Sequence, residues 1–346
     1  MKLAKLIKSS LGATVLISLA TAYKADALTF NLSYSSSITS ASNAATIEAA
    51  TQEVANFYSE LFTNPVTLNI NINTMSNGLG ESNVNLQLYY SYKTVRNALI
   101  TNDPALYQSS SPSTSSLPTT NPAPSNNFFI TNAEVKALGL GNPTGIDGTF
   151  SISTSQKYTF CTTTVTCSIA SGTYDYDAIV EHEFSEIMGR ISSLGDNFGN
   201  GPTYDPYDLF RFTGKGVRNF SPSTSAKVYF STNNGATNLK TFNDPHGNGS
   251  DPQDWANGTN DAFNAFSNSR VVNAFSSVDL TAMNTIGWKT NGSGTSVISS
   301  SAWNSTKLGT VGSAVGAVPD PLVLLGAALG GGMFLGVSAL MRRKSI

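Results

Sequence analysis

The chain has 346 residues, with 20 Lys and Arg against 22 Asp and Glu, 2 His and 2 Cys. Once an addressing segment at each end is set aside, residues 28–317 hold 13 basic and 20 acidic side chains, a net charge of −7 that argues against nucleic acid as a partner. With only His182 and His246 in the chain, a three-histidine metal site is excluded. The hydrophobic content is ordinary, so about 260 ordered residues can bury a core in one large domain or two lobes.

Lys2, Lys5 and Lys8 precede the apolar run 11–22, and Ala25-Asp26-Ala27 places small residues where signal peptidase reads them. Residues 1–27 therefore read as a secretory signal. Residues 28–40 are a candidate short pro-segment, without a cysteine switch. Ser42 or Asn43 caps a helix whose apolar positions Ile47, Ala50, Val54, Phe57, Tyr58 and Leu61 follow helical spacing, and Pro65 stops it. Val66, Leu68, Ile70 and Ile72 then alternate with Thr67, Asn69, Asn71 and Asn73, the pattern of a strand with one buried face. Residues 86–100 are expected to be a strand turning into a short helix near 93–99. Residues 108–127, rich in Ser, Thr, Pro and Asn, read as a mobile surface loop. Strands are expected at 128–131 and 148–153, with a helix at 133–138 ended by Gly139. Cys161 and Cys167 enclose β-branched residues, which favours a local disulfide over a metal pair in an exported chain.

Asp175 or Asp177 can cap the helix that follows, which carries Glu181-His182-Glu183-Phe184-Ser185-Glu186-Ile187-Met188-Gly189-Arg190. His182 and Glu186, four residues apart, share a helix face, so an imidazole nitrogen and a carboxylate can converge on one divalent ion. Glu183 is then placed to deprotonate an ion-bound water. At 100° per residue, Val180, Phe184, Ile187, Met188 and Ile191 form an apolar stripe, with His182, Glu186 and Gly189 roughly opposite, facing a cleft. A solvent-facing helix pair is the simpler alternative. Candidates for a third ligand are Asp196, Asp205, Asp208 and His246. His246 gives a two-histidine, one-carboxylate zinc set; Asp208 gives two carboxylates, which weaken the ion's pull on water and admit Mn or Fe.

After a glycine-rich turn at 195–201, Tyr204-Asp205-Pro206-Tyr207-Asp208 offers two tyrosines as candidate stabilisers of a tetrahedral oxyanion, or simply a turn leading into a strand. Strands are expected at 228–231 and 239–242. Residues 243–261, with Asp244, Asp251 and Asp254, have the oxygen ligands of a calcium loop without EF-hand spacing, and Asx-rich surface turns are the simpler reading. Ser277 to Trp288 reads as a serine-capped helix with a Gly-Trp ending. Residues 291–317 form a flexible linker to a tail, 318–346, in which Val318-Pro319-Asp320-Pro321 precedes an apolar stretch long enough to cross a bilayer and then Arg342-Arg343-Lys344.

That tail resembles the PEP-CTERM sorting tails of exported bacterial proteins, with Asp320 where the usual motif has Glu. The resemblance implies an exosortase-type processing enzyme as partner, membrane attachment before processing, and a location in the cell envelope or outside it; a permanent anchor is the alternative. The His182 helix matches in spacing the metzincin pattern His-Glu-x-x-His-x-x-Gly-x-x-His, with Glu186 and Ser192 at the second and third histidine positions. Together with Tyr-Asp-Leu-Phe-Arg-Phe at 207–212 and Asp-Leu-Thr-Ala-Met-Asn-Thr-Ile-Gly-Trp at 279–288, it resembles a family of exported bacterial metalloproteases that carry His-Glu-x-x-Glu. The resemblance spans most of residues 40–290. It implies an α+β, zincin (metzincin-like) domain over 28–290, with a mixed sheet, an active-site helix and a C-terminal lobe. It further implies zinc as cofactor, a polypeptide substrate, His182 and Glu186 as ligands and Glu183 as catalytic base. The competing expectations are a non-catalytic matrix or biofilm protein on the same scaffold, and a hydrolase acting on a polysaccharide.

Overall fold

The computed structural model describes residues 28–290 apart from 105, 108–115, 162–167, 195, 222–225 and 244–250, together with the backbone of 317–319 and 323–325. The expected signal 1–27 and nearly all of the linker and tail lie outside the described residues. Among the described residues no helix is long and apolar enough to cross a membrane.

The fold is mixed α+β. Strands β1 (Thr29–Tyr34), β2 (Thr67–Met75), β3 (Gly80–Tyr90), β4 (Phe128–Thr131) and β5 (Gly148–Ser153) build one mixed sheet in the order β1-β2-β5-β3. β1 runs parallel to β2, pairing Thr29 with Thr67, and β2 runs parallel to β5, pairing Ile70 with Gly148. β3 is antiparallel to β5, with Ser82 opposite Phe150. On its other side β3 pairs antiparallel with β4 near Leu86, while Val323–Leu325 runs parallel to it at residues 83–85. Residues 28–40, the candidate pro-segment, supply β1 and the short helix α1 (Ser36–Thr39). Phe30, Leu32 and Tyr34 alternate along β1 and pack against the core.

Helix α2 (Ala44–Leu61) starts after Asn43 and buries Ile47, Ala50, Val54, Phe57, Tyr58 and Leu61, the face that the sequence spacing marks out. Helix α3 (Tyr92–Asn102) follows β3, and α4 (Asn132–Ala137) is capped by Thr131, whose hydroxyl accepts from the Glu134 N–H at 3.1 Å. Gly139 ends that segment with φ +65°, a conformation in which a side chain is strained. Helix α5 (Tyr176–Ile187) carries the His182 motif, with Asp175 as its cap. Helix α6 (Ser277–Thr285) is capped by Ser276 rather than Ser277, in a reciprocal box with Asp279. It closes with Gly287 N–H donating to Asn284 O and Trp288 N–H to Met283 O, the paired bonds of a Schellman ending.

All residues of α5 are buried, so the helix is no amphipathic surface element. One side lies on β3 and β5, and glycines open both crossing points. A Cβ on Gly148 would meet the Asn83 carbonyl at 2.8 Å and Ile187 Cγ1 at 2.7 Å; one on Gly80 would overlap the Glu183 carboxylate. On the other side α2 holds the helix through Tyr58, whose hydroxyl donates to Glu181 O at 2.6 Å, and Thr51, bonded to the Tyr176 hydroxyl at 2.7 Å. Because Asn83 O is backbone and cannot swing away, Gly148→Ala is expected to destabilise the fold by about 2–3 kcal/mol, read from the shift in a urea unfolding midpoint.

Beyond α5 the chain forms a small sheet from Arg211–Gly214, Val217–Arg218, Tyr229–Phe230 and Lys240–Thr241, backed by the rings of Tyr207, Phe230, Phe242 and Trp255. Residues 116–127 correct the expectation of a mobile loop at 108–127, of which 108–115 lie outside the described residues. Leu117 is fully buried, Arg96 Nε donates to Leu117 O at 2.9 Å, and the Tyr92 hydroxyl donates to Pro118 O at 2.6 Å. At the end of the domain, Lys289 is clasped to the segment after α2: Thr63 N–H donates to Lys289 O at 2.8 Å, and Lys289 N–H donates to Asn64 Oδ1 at 2.7 Å.

Candidate metal centre

Two of the expected ligand residues meet on α5, and a third carboxylate reaches them from a loop that sequence spacing did not single out. His182 Nε2 lies 3.5 Å from Glu186 Oε1 and 3.2 Å from Asp254 Oδ1. All three side chains are buried, and one ligand atom from each falls within 4.8 Å of the others. His182, Glu186 and Asp254 therefore form a buried group able to hold a metal ion. Nδ1 of His182 sits 2.8 Å from Ala262 O. A carbonyl only accepts, so Nδ1 carries the proton and Nε2 faces the carboxylates. The loop is fixed by the same segment: Trp255 N–H donates to Phe263 O at 2.8 Å and Ala265 N–H to Trp255 O at 3.0 Å.

Around these three side chains is a shell of donors. The Ser82 hydroxyl, from β3, donates to Glu186 Oε2 at 2.7 Å, and the Gln253 amide donates to Glu186 Oε1 at 2.8 Å. Arg190, fully buried, donates through Nη1 to Asp254 Oδ1 at 2.7 Å and through Nε to Ser185 Oγ at 2.7 Å, with Nη2 3.5 Å from Glu186 Oε1. Its guanidinium lies over the Phe263 ring, 4.3 Å from the centroid. Burial works against the Arg190 charge, but Asp254 and Glu186 outweigh it and raise its pKa above the ordinary value.

Glu183 turns the other way. Its carboxylate lies over Gly80, and it lines a small open cleft with His182, Leu79, Ile179, Asn264 and Asn273. The absent side chain at Gly80 leaves the carboxylate its place beside the imidazole.

The remaining sequence candidates lie elsewhere. Asp205 and Asp208 face each other across the turn Pro206–Phe210, where Asp205 N–H donates to Asp208 Oδ2 at 2.9 Å. Ser192, which occupies the third-histidine position of the metzincin spacing, donates to Asp208 Oδ1 at 2.6 Å. Asp196 bears electrostatically on both aspartates. None of these three belongs to the group of possible ligands around His182. His246 lies outside the described residues. Of the candidate oxyanion partners, Tyr204 packs between Phe128 and Phe220, and Tyr207 is buried among Phe230, Phe242 and Trp255, so neither lines the cleft.

Asp254 had a weak sequence signal: an acid immediately before a tryptophan, in a stretch otherwise suited to surface turns. Burial of Trp255, whose indole N–H donates to Asp279 Oδ1 at 2.7 Å, draws its neighbour inward. A second cluster, Cys161 with Asp175 and Asp177, also has metal-ligand spacing, but Cys161 is disulfide-bonded and cannot offer a thiolate. Its partner, the chain's other cysteine Cys167, lies outside the described residues. No protein-family model matches the chain, and neither a curated protein nor a solved structure matches it.

Proposed function

We propose that the chain is an exported, metal-dependent endopeptidase of zincin-like architecture, with His182, Glu186 and Asp254 as metal ligands and Glu183 as general base. The observation that carries this reading is Nε2 of His182, which faces two buried carboxylate oxygens while Nδ1 donates to Ala262 O. A lone pair facing two anions is repulsive, and a divalent cation between them reverses the sign of every interaction.

Zinc fits the set once Arg190 is counted. Two carboxylates alone would cancel a divalent charge, whereas the guanidinium bonded to Asp254 offsets one of them and leaves the bound ion a net positive field. When bound, the ion supplies Lewis acidity to a water and to a substrate carbonyl. Glu183 takes the proton of that water at its carboxylate and later returns it to the leaving amine. Ser82 and Gln253 fix the Glu186 carboxylate that would hold the ion, and Gly80 leaves room for the carboxylate of Glu183. A polypeptide is favoured over a glycan because β3, whose first residue Gly80 lines this cleft, accepts an extended segment further along at residues 83–85, where Val323–Leu325 runs.

Charge balance supports a second reading. If His182 is doubly protonated, His182 and Arg190 neutralise Glu186 and Asp254, and the group is a closed buried ion network on a non-catalytic envelope protein. Elemental analysis separates the two. The purified full chain is expected to carry one equivalent of zinc, to cleave casein, and to lose cleavage with 1,10-phenanthroline and regain it with added zinc. A folded protein that holds no divalent metal and cleaves nothing rules the enzyme out.

A further inference from the structure

Two walls of the cleft beside His182 are paired with another stretch of the same chain. The strand Phe266–Asn268 follows directly on the segment that holds His182 Nδ1, and its Ser267 lines the cleft. It pairs antiparallel with Ala317–Pro319, Ser267 lying opposite Val318 and Phe266 opposite Pro319. The second wall is β3, whose Gly80 lines the cleft and whose Ser82 donates to Glu186. There Val323–Leu325 runs parallel, with Val323 opposite Asn83 and Leu324 opposite Val84. One chain direction thus satisfies both walls, as it must for a single extended ligand. Pro319 and Val323 are four residues apart in the sequence, about 14 Å at full stretch, so the two pairings bracket the cleft within one short reach of chain.

The groups that would do the chemistry are shut in. Nε2 of His182, both carboxylate oxygens of Glu183 and Oδ1 of Asn264 are buried from solvent, although all three residues line the cleft. A polypeptide can be cut only where it reaches Glu183, and in this arrangement it has no way in. Backbone pairing with an exposed strand edge is also how a polypeptide would be held there, since main-chain bonds are made whatever the side chains.

We propose that the chain's own tail, through the backbone of 317–319 and 323–325, closes the cleft in the manner of a bound substrate and keeps the peptidase latent until it is withdrawn. The activity half rests on the peptidase reading; the closure rests on the strand pairings alone. A weak contact suffices for this, because a segment joined to its own site acts at an effective concentration on the order of 1 mM. With an intrinsic Kd of about 0.1 mM the cleft is closed about nine-tenths of the time, and cutting the segment loose opens it about tenfold more.

The test inserts a site-specific protease sequence after Ser305 of the full chain, loads the protein with zinc, and compares intact and cut forms in mild detergent. Deuterium uptake over residues 81–87 and 264–270 is expected to rise on cutting, and cleavage of casein to rise about tenfold. A synthetic peptide of residues 315–327 should then restore the block, raising KM with kcat unchanged. The same peptide carrying Val318→Pro and Leu324→Pro should not, because proline removes the N–H that a strand edge needs. Unchanged uptake overturns the proposal, and so does cleavage at equal rates by the intact and cut forms. Failure of the dye-labelled peptide to bind the cut form, read by fluorescence anisotropy, overturns it as well. If neither form cleaves any protein, yet uptake rises and the labelled peptide binds the cut form alone, the closure stands and only the peptidase reading is lost.

Discussion

Glu183→Gln is expected to lower the rate of peptide cleavage by about 10³-fold while one equivalent of zinc stays bound. The substitution keeps the shape that fits over Gly80 and removes only the ability to accept a proton. Because Glu183 is not among the residues that converge on His182 Nε2, metal content should not change. Cleavage of casein and metal per chain, measured on the same preparation, check both halves. A variant that cleaves at the wild-type rate removes Glu183 from the mechanism, and one that loses zinc makes it a ligand.

The second large effect belongs to Asp254. Asp254→Asn should weaken zinc binding by more than about 100-fold, whereas Asp208→Asn should leave it within a few-fold of wild type. The contrast follows from Asp254 Oδ1 lying 3.2 Å from His182 Nε2, while Asp208 is committed to Ser192 and to the Asp205 N–H. Asp254→Asn also leaves Arg190 with Glu186 as its counter-charge at 3.5 Å, so stability should fall by about 3 kcal/mol. Competition with a chromophoric zinc chelator gives the affinity and urea unfolding the stability. Equal zinc affinity in Asp254→Asn and wild type would return the third ligand to the unassigned residues, His246 among them.

Local patterning carried most of the elements. The spacing of Ile47 to Leu61, the alternation from Val66 to Ile72 and the Gly-Trp ending at 287–288 each reflect a single burial face or a single turn geometry, and the structure forms them there. β1 was missed because a short strand directly after an apolar leader looks like a spacer until β2 is there to pair with it. Residues 116–127 were misread because their composition offers little to bury, yet the hydroxyl and guanidinium of Tyr92 and Arg96 bind their backbone carbonyls, an interaction that composition does not encode. The His182–Glu186 pair was legible because both residues lie on one helix. Asp254 was not, since its approach depends on how the 261–265 segment, more than seventy residues further along the chain, packs against α5. The amphipathic reading of α5 also failed for a global reason: the sheet covers one side and α2 the other, so even its charged residues are enclosed.

The clasp at Lys289 bears on mechanics. Tension applied at residue 290 meets two hydrogen bonds, one from the Thr63 N–H and one to the Asn64 side chain, before it can reach α6 or the Trp288 indole that donates to Met188 O at 2.7 Å. Load applied at that point would thus pass into the base of α2, and the His182 helix would stay unstrained until that latch gave way.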